Sequence, residues 1–181
     1  AAEVCAANGI HVRIFESLRP TPELSFAVRH YGCQAGINVT ASHNPKEYNG
    51  YKVYWSDGAQ LPPQHAAAIA RELEQIDIFT GIRRMEFDDA KAQGLIEIMG
   101  AETDERFMSH VMAMVNDRES MAKVADTFHM VYTPFHGCGW KLVPEALRGL
   151  GVKHLHCVPE QMVLDGSFQT VVAQNPENPE G

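Results

Sequence analysis

No block of basic residues occurs in this chain, and its formal net charge is −8. Affinity for a nucleic-acid backbone needs clustered Lys and Arg, so generic nucleic-acid binding is excluded. No apolar run approaches the roughly 20 residues that span a bilayer. Nor does the start, Ala1-Ala2-Glu3-Val4, offer the basic residues and long apolar core of a signal peptide. The expectation is therefore no membrane partner. The four cysteines, Cys5, Cys33, Cys138 and Cys157, are far apart and form no C-x-x-C pair. They read as free, mostly buried thiols of a cytoplasmic protein. A G-x-S-x-G elbow is absent, which argues against a serine hydrolase. Gly137-Cys138-Gly139 lacks the third glycine of a dinucleotide fingerprint, and the residues around Lys141 are not a P-loop. That segment reads as a tight strand-to-helix turn.

What is present suits an ordinary globular protein. The chain has 181 residues with 45% hydrophobic content, enough for one large domain or two small ones. It opens without Met, on residues that read as the last turns of a helix stopped by Asn8-Gly9. It closes on a loop, Asn175-Pro176-Glu177-Asn178-Pro179-Glu180-Gly181. Both ends read as cut, so a fragment is expected.

Taken in order, residues 10–15 are apolar and β-prone. Thr21-Pro22-Glu23 reads as a helix start, with Thr21 as N-cap and Pro22 at the first helical position. Leu24, Ala27, Val28 and Tyr31 follow at helical spacing, and Gly32 ends the run. Residues 35–39 read as a short buried strand, and 51–55 as another. Ser56-Asp57-Gly58 closes a small hairpin with residues 59–61. Pro62-Pro63 opens a helix whose apolar stripe is Ala66, Ile69, Leu73 and Ile76. Residues 80–102 read as a linker. A long helix is predicted over 103–116, with Phe107, Val111 and Met114 on one face. Residues 128–133, a helix carrying Leu142, Val143, Ala146, Leu147 and Leu150, and the strand 152–158 make a βαβ unit. Alternating helices and strands argue for parallel sheets covered by helices.

Between the strands 35–39 and 51–55 runs Thr40-Ala41-Ser42-His43-Asn44-Pro45-Lys46-Glu47-Tyr48-Asn49-Gly50. A hydroxyl, an imidazole and, at Lys52, an amine sit on or beside one loop at a strand's carboxyl end, an edge where α/β folds bind ligands. Thr-Ala-Ser-His-Asn-Pro followed by Tyr-Asn-Gly-Tyr-Lys resembles the phosphoserine loop of the α-D-phosphohexomutases. Residues 131–139 (VYTPFHGCG), Val158-Pro159-Glu160-Gln161, Asp165-Gly166-Ser167-Phe168 and Asn175-Pro176-Glu177 resemble the second domain of the same family. The Trp55-Ser56-Asp57-Gly58-Ala59-Gln60 and 158–161 segments are most similar to its phosphopentomutase-like branch.

The resemblance implies two three-layer α/β/α domains with mixed, mainly parallel sheets, both incomplete: 1–79 for the first, 80–102 linking, and 103–181 for the second. It implies a phosphosugar mutase that interconverts sugar 1-phosphate with 6-phosphate, or with 5-phosphate for pentoses. The enzyme would work through a phosphoserine and a sugar bisphosphate. Catalysis falls on Ser42, as phosphoryl carrier, and on Lys52, as general acid/base or phosphate partner. His43 and Asn44 fall in the phosphate loop. Mg²⁺ would meet this chain only through the phosphate on Ser42, because the family's Asp-Gly-Asp-x-Asp-Arg metal loop is absent, as are its sugar-binding and terminal phosphate-binding loops. The expected small-molecule partner is a sugar phosphate. The fragment is expected to be inactive alone, and an open sheet edge would favour self-association. A phosphatase using Ser42 and a non-catalytic interaction module are the alternatives. His154 and His156 share a strand face and read as a solvent-facing pair rather than metal ligands, while His136, at a strand's carboxyl end, is a candidate for a supporting place behind the site residues.

Overall fold

The computed structural model describes residues 1–175 and 177–179. The chain forms two compact units, one of residues 1–17 with 60–102 and the other of residues 18–59 with 103–179.

In the first unit, helix α1 (Ala2–Ala7) ends at Asn8-Gly9, where Gly9 takes a φ of 74° that only glycine adopts freely. Strand β1 (Val12–Phe15) follows. Helix α3 (Pro63–Leu73), which comes after the second unit's first segment, begins at Pro62-Pro63 as its sequence predicts. Its expected stripe does not become core: Ile69, Leu73 and Ile76 are exposed, and no α3 residue is buried. Periodicity tells which face is apolar, not whether another element covers it. The stretch expected as a linker holds helix α4 (Phe87–Ala92) and strand β4 (Ile96–Met99). β4 pairs in parallel with β1, Val12 opposite Ile96 and Phe15 opposite Met99. Ala6, Ala90 and Ile96 form the buried centre of this unit. Four residues are too few for alternation to announce a strand.

In the second unit, helix α2 (Thr21–His30) starts one residue earlier than expected. Pro20 occupies the N-cap with extended backbone, and no side chain caps the helix. The Thr21 hydroxyl instead accepts a hydrogen bond from Asn38 Nδ2 at 2.8 Å. Strand β2 (Ala35–Thr40) pairs antiparallel with β3 (Gly50–Trp55), so the 41–49 segment is the connection of a hairpin. β2 was expected to be buried, yet only Gly36 is; Ile37 and Val39 are exposed. The Ser56–Gly58 turn forms, with Trp55 N donating to Ala59 O at 2.9 Å and Gly58 at a φ of 78°.

Helix α5 (Ala101–Ala113) buries Thr103 and Asp104, while Met114 falls outside it and is exposed. Phe26 of α2 packs on Phe107 and His110 of α5, at centroid distances of 5.6 and 5.1 Å. Helix α6 (Arg118–Val124), not foreseen from the sequence, is capped by Asp117, whose carboxylate accepts from Ser120 N at 2.9 Å. Strand β5 (His129–Tyr132), helix α7 (Leu142–Leu150) and strand β6 (His154–Cys157) form the expected βαβ unit, with β5 and β6 parallel. Gly151 ends α7 in left-handed geometry, as read from the sequence.

All four thiols are free, but three are half-buried and Cys138 is exposed, so none lies in a core. Among the described residues no helix is long and apolar enough to cross a membrane.

The one buried β2 residue sets how closely strand and helix approach. A Cβ on Gly36 would lie 2.7 Å from Val28 Cγ2 and 3.2 Å from Leu24 Cδ1. Gly36→Ala is therefore expected to lower stability by about 1–3 kcal/mol, as overpacking does. Urea denaturation of the two proteins measures it.

Candidate active site

The loop after β2 is built on a hairpin braced from below. Asn38, which ties β2 to Thr21 at the start of α2, is the register partner of Lys52 on β3. Two residues further on, the ladder ends at Thr40 opposite Gly50. The chain then turns through 41–44, closed by Asn44 N donating to Ala41 O at 3.1 Å. Ser42 is exposed and has a φ of 59°, in the left-handed region that side-chain-bearing residues rarely adopt. Its N–H donates to Thr40 Oγ1 at 2.9 Å.

The sequence-derived candidates divide between two places. His43 and Asn44, with Pro45, line a cavity of about 490 Å³ whose other wall is Val172–Asn175 and Asn178. Ser42 is not among its lining residues, although it precedes His43 directly. Lys52 is half-buried on β3, and among the described residues no hydrogen bond joins it to Ser42. Lys46, on the same loop, lies close enough to Asp165 for its charge to act there. Hydrogen bonds from the N–H groups of Gln169 and Ser167 hold the Asp165 carboxyl below its usual range, and Lys46 adds to this.

His136 is buried and has a φ of 61°. Its Nδ1 donates to Val163 O at 2.7 Å, and its Nε2 meets the Thr170 hydroxyl at 2.8 Å. It fastens the segment that leads into the cavity's far wall. His154 is an exposed surface residue, its ring stacked on that of His129 at 4.4 Å. His156 is exposed too. Among the described residues no group of three or more His, Cys, Asp or Glu could hold a metal ion.

A buried charge cluster lies elsewhere in the same unit, and sequence reasoning missed it. Asp104 accepts from Arg19 Nε at 2.6 Å, Arg19 Nη2 at 2.9 Å and Lys141 Nζ at 2.6 Å. Glu23 is fully buried beside it, 3.9 Å from Arg19 Nε and too far for a hydrogen bond. Neither Glu23 oxygen meets a donor. Burial and the neighbouring Asp104 carboxylate push the Glu23 carboxyl up to about 8, against the pull of Arg19 and Lys141. Burial also opposes the charge on Asp104, but the hydrogen bonds from Arg19 and Lys141 outweigh it and hold that carboxyl low. At neutral pH the Glu23 carboxyl, raised this far, is mostly uncharged. The signal was legible: Asp104 shares a helical stripe with Phe107, Met108 and Val111, and Glu23 one with Phe26 and Ala27.

The model of phosphoglucomutase/phosphomannomutase alpha/beta/alpha domain I matches residues 1–78, and that of domain II matches residues 105–181. The chain belongs to the phosphoglucomutase/phosphomannomutase family. Its fold is accordingly that of two α/β/α domains, and the described strands pair as three two-stranded sheets, parallel for β1–β4 and β5–β6 and antiparallel for β2–β3. Among the family's curated members it is 36% identical over 177 residues to a phosphoglucomutase of Staphylococcus saprophyticus, covering 98% of this chain and 31% of the relative. A phosphoglucomutase of Staphylococcus aureus (strain MRSA252) is 34% identical over 183 residues, with the same coverage. A solved Thermus thermophilus structure described as a phosphomannomutase overlays at a TM-score of 0.69 and 24% identity, over 92% of this chain and 34% of that one. The chain thus spans about a third of the length of the mutases it matches.

The raised Glu23 carboxyl makes stability depend on pH. Below its ordinary value of 4.5, folded and unfolded chains both hold the proton. Between 4.5 and about 8 the unfolded chain releases it and the folded chain does not, so stability falls as pH rises. Glu23→Gln imitates the protonated form. It is expected to raise stability at pH 7 by on the order of 2–3 kcal/mol and to change little at pH 4, in urea melts at the two pH values.

Proposed function

We propose that this chain is the phosphoryl-carrying part of a phosphosugar mutase, with the phosphoryl group on Ser42. What carries the reading is the corner at Ser42: an exposed hydroxyl on a left-handed turn, at the tip of the hairpin that bears Lys52, beside a cavity lined by His43 and Asn44. Family membership supports it.

The phosphoryl group passes from Ser42 Oγ to one hydroxyl of a sugar phosphate. The P–O bond to serine breaks as the bond to the sugar forms, and the hydroxyl proton leaves to a base. The bisphosphate turns over and returns its other phosphoryl group to Ser42. A 1-phosphate becomes a 6-phosphate, or a 5-phosphate on a pentose. Lys52 serves as proton donor and acceptor or as partner of the transferring phosphate. His43 and Asn44 contact the substrate. A volume of about 490 Å³ suits a ligand of sugar-phosphate size. Mg²⁺ would offset charge on the transferring group. The described residues do not form a site for it, since they gather no set of three ligands.

The test is intact mass and peptide mapping of the full-length protein. One phosphoryl group is expected on the peptide containing Ser42, transferable to glucose 1-phosphate. Ser42→Ala is expected to reduce isomerisation by about a thousandfold or more, as loss of a nucleophile does. Lys52→Ala should lower kcat by about 10²–10⁴-fold, the range of a general acid or base. Release of inorganic phosphate without isomerised sugar would identify a phosphatase. Unchanged function in Ser42→Ala would identify a non-catalytic module.

A further inference from the structure

Ser42 occupies a backbone position meant for another residue. In the turn Ala41-Ser42-His43-Asn44, it holds the first central place with a φ of 59°, while His43 has no positive φ. Positive φ at that place alone is the mark of a II′ turn, where glycine is the usual residue. A residue with a side chain resists this geometry by on the order of 1–3 kcal/mol and stays there only when its surroundings hold it. Ala and Asn at the turn's ends contribute one hydrogen bond, Asn44 N to Ala41 O. That bond closes the turn without touching Ser42.

The contact that does touch Ser42 comes from Thr40. Its Oγ1 accepts the Ser42 N–H at 2.9 Å. Thr40 is the last residue of β2, held in register with Gly50 of β3. It is β-branched, so its hydroxyl has few rotamers in which to drift. The side chain that fixes the Ser42 backbone is thus anchored to the regular part of the hairpin, not to the loop.

We propose that Thr40 is a positioning residue for phosphoryl transfer: its hydroxyl pins the Ser42 amide, keeps the turn in its left-handed form and so aims Oγ of Ser42. The inference rests on the phosphoserine reading of Ser42. Its chemistry is one of orientation. Transfer requires a near in-line approach of sugar hydroxyl, phosphorus and serine oxygen, and a displacement of about 1 Å lowers the rate by around a hundredfold. Without the acceptor on Thr40, the turn relaxes toward conformations that Ser42 prefers, and Oγ swings with it. Binding of the sugar phosphate is held elsewhere and changes little.

The experiment compares Thr40→Val, Thr40→Ser, Thr40→Ala and Ser42→Ala in the full-length protein, with glucose 1-phosphate as substrate and glucose 1,6-bisphosphate as phosphoryl donor. Val keeps the branched shape without the hydroxyl. Ser and Ala differ from each other by the hydroxyl alone, so they repeat the comparison if the Val variant does not fold. The expected result is a 10–100-fold loss of kcat in Thr40→Val and Thr40→Ala. KM should stay within about twofold, Thr40→Ser within about threefold of the parent, and Ser42 phosphorylation should slow in proportion to kcat. Exchange of the Ser42 amide hydrogen should quicken in Val and Ala but not in Ser. Equal losses in Ser and Ala would overturn the proposal, because packing would then be the cause. Parent-like kcat in Thr40→Val and Thr40→Ala, with Ser42→Ala inactive, would overturn it while leaving the phosphoserine reading intact. Full activity in Ser42→Ala would overturn that reading and the positioning role with it.

Discussion

Asp104 is the point on which the second unit hangs. Its two carboxylate oxygens take three hydrogen bonds, from Arg19 just before α2 and from Lys141 just before α7. These partners are 85 and 37 residues away in sequence. One buried anion therefore joins the starts of two helices to a third. Such a group is demanding: removing one partner of a buried pair leaves an uncompensated charge and destabilises by about 3–5 kcal/mol. With its carboxyl raised to about 8, Glu23 is mostly uncharged at neutral pH, so a second acid can lie beside Asp104 without repelling it.

The consequence reaches the hairpin. Arg19 fixes the approach to α2, and Thr21, two residues on, holds Asn38 of β2. Gly36 lets that strand lie close against Val28. Asn38 is paired with Lys52, and Thr40 with Gly50. From the buried cluster to the loop there is thus a continuous series of bonded residues, and the loop itself is exposed. A rigid base carrying an exposed loop is the arrangement in which a reacting side chain can be both accessible and fixed in direction.

Where the sequence was informative, a local rule decided the outcome. Gly9, Gly32 and Gly151 all take positive φ where they end helices. The Pro-started helices and the βαβ unit follow from residues only a few positions apart. The loop was legible as a motif. What sequence reading missed had non-local causes. Thr21 did not cap α2 because Asn38, 17 residues away, engages its hydroxyl. β2 reads as buried because Ile37 and Val39 are apolar, yet burial depends on what covers a strand, and both are exposed. β4 acquires its identity from β1, more than 80 residues earlier. Asp104 drew no reading from the sequence and Glu23 only that of a first-turn acid, although each interrupts an apolar stripe. An acid inside such a stripe signals a buried partner, and two acids on two stripes signal that the partner is shared.

The division between Ser42 and its neighbours also bears on the proposed reaction. The turn at 41–44 sets His43 and Asn44 on the cavity and leaves Ser42 off its lining. The cavity wall opposite them, from 172 to 175 with Asn178, contributes carboxamides and small apolar groups, and among the described residues neither Lys nor Arg lines the space. Such a lining suits sugar hydroxyls better than a phosphate dianion, which calls for charged or charge-assisted donors. In the proposed reaction a bisphosphate must present first one end and then the other. A cavity that gripped either phosphate tightly would oppose that exchange. One that holds the neutral ring through hydrogen bonds, and leaves the charge to Ser42 and Lys52 on the adjoining hairpin, permits it.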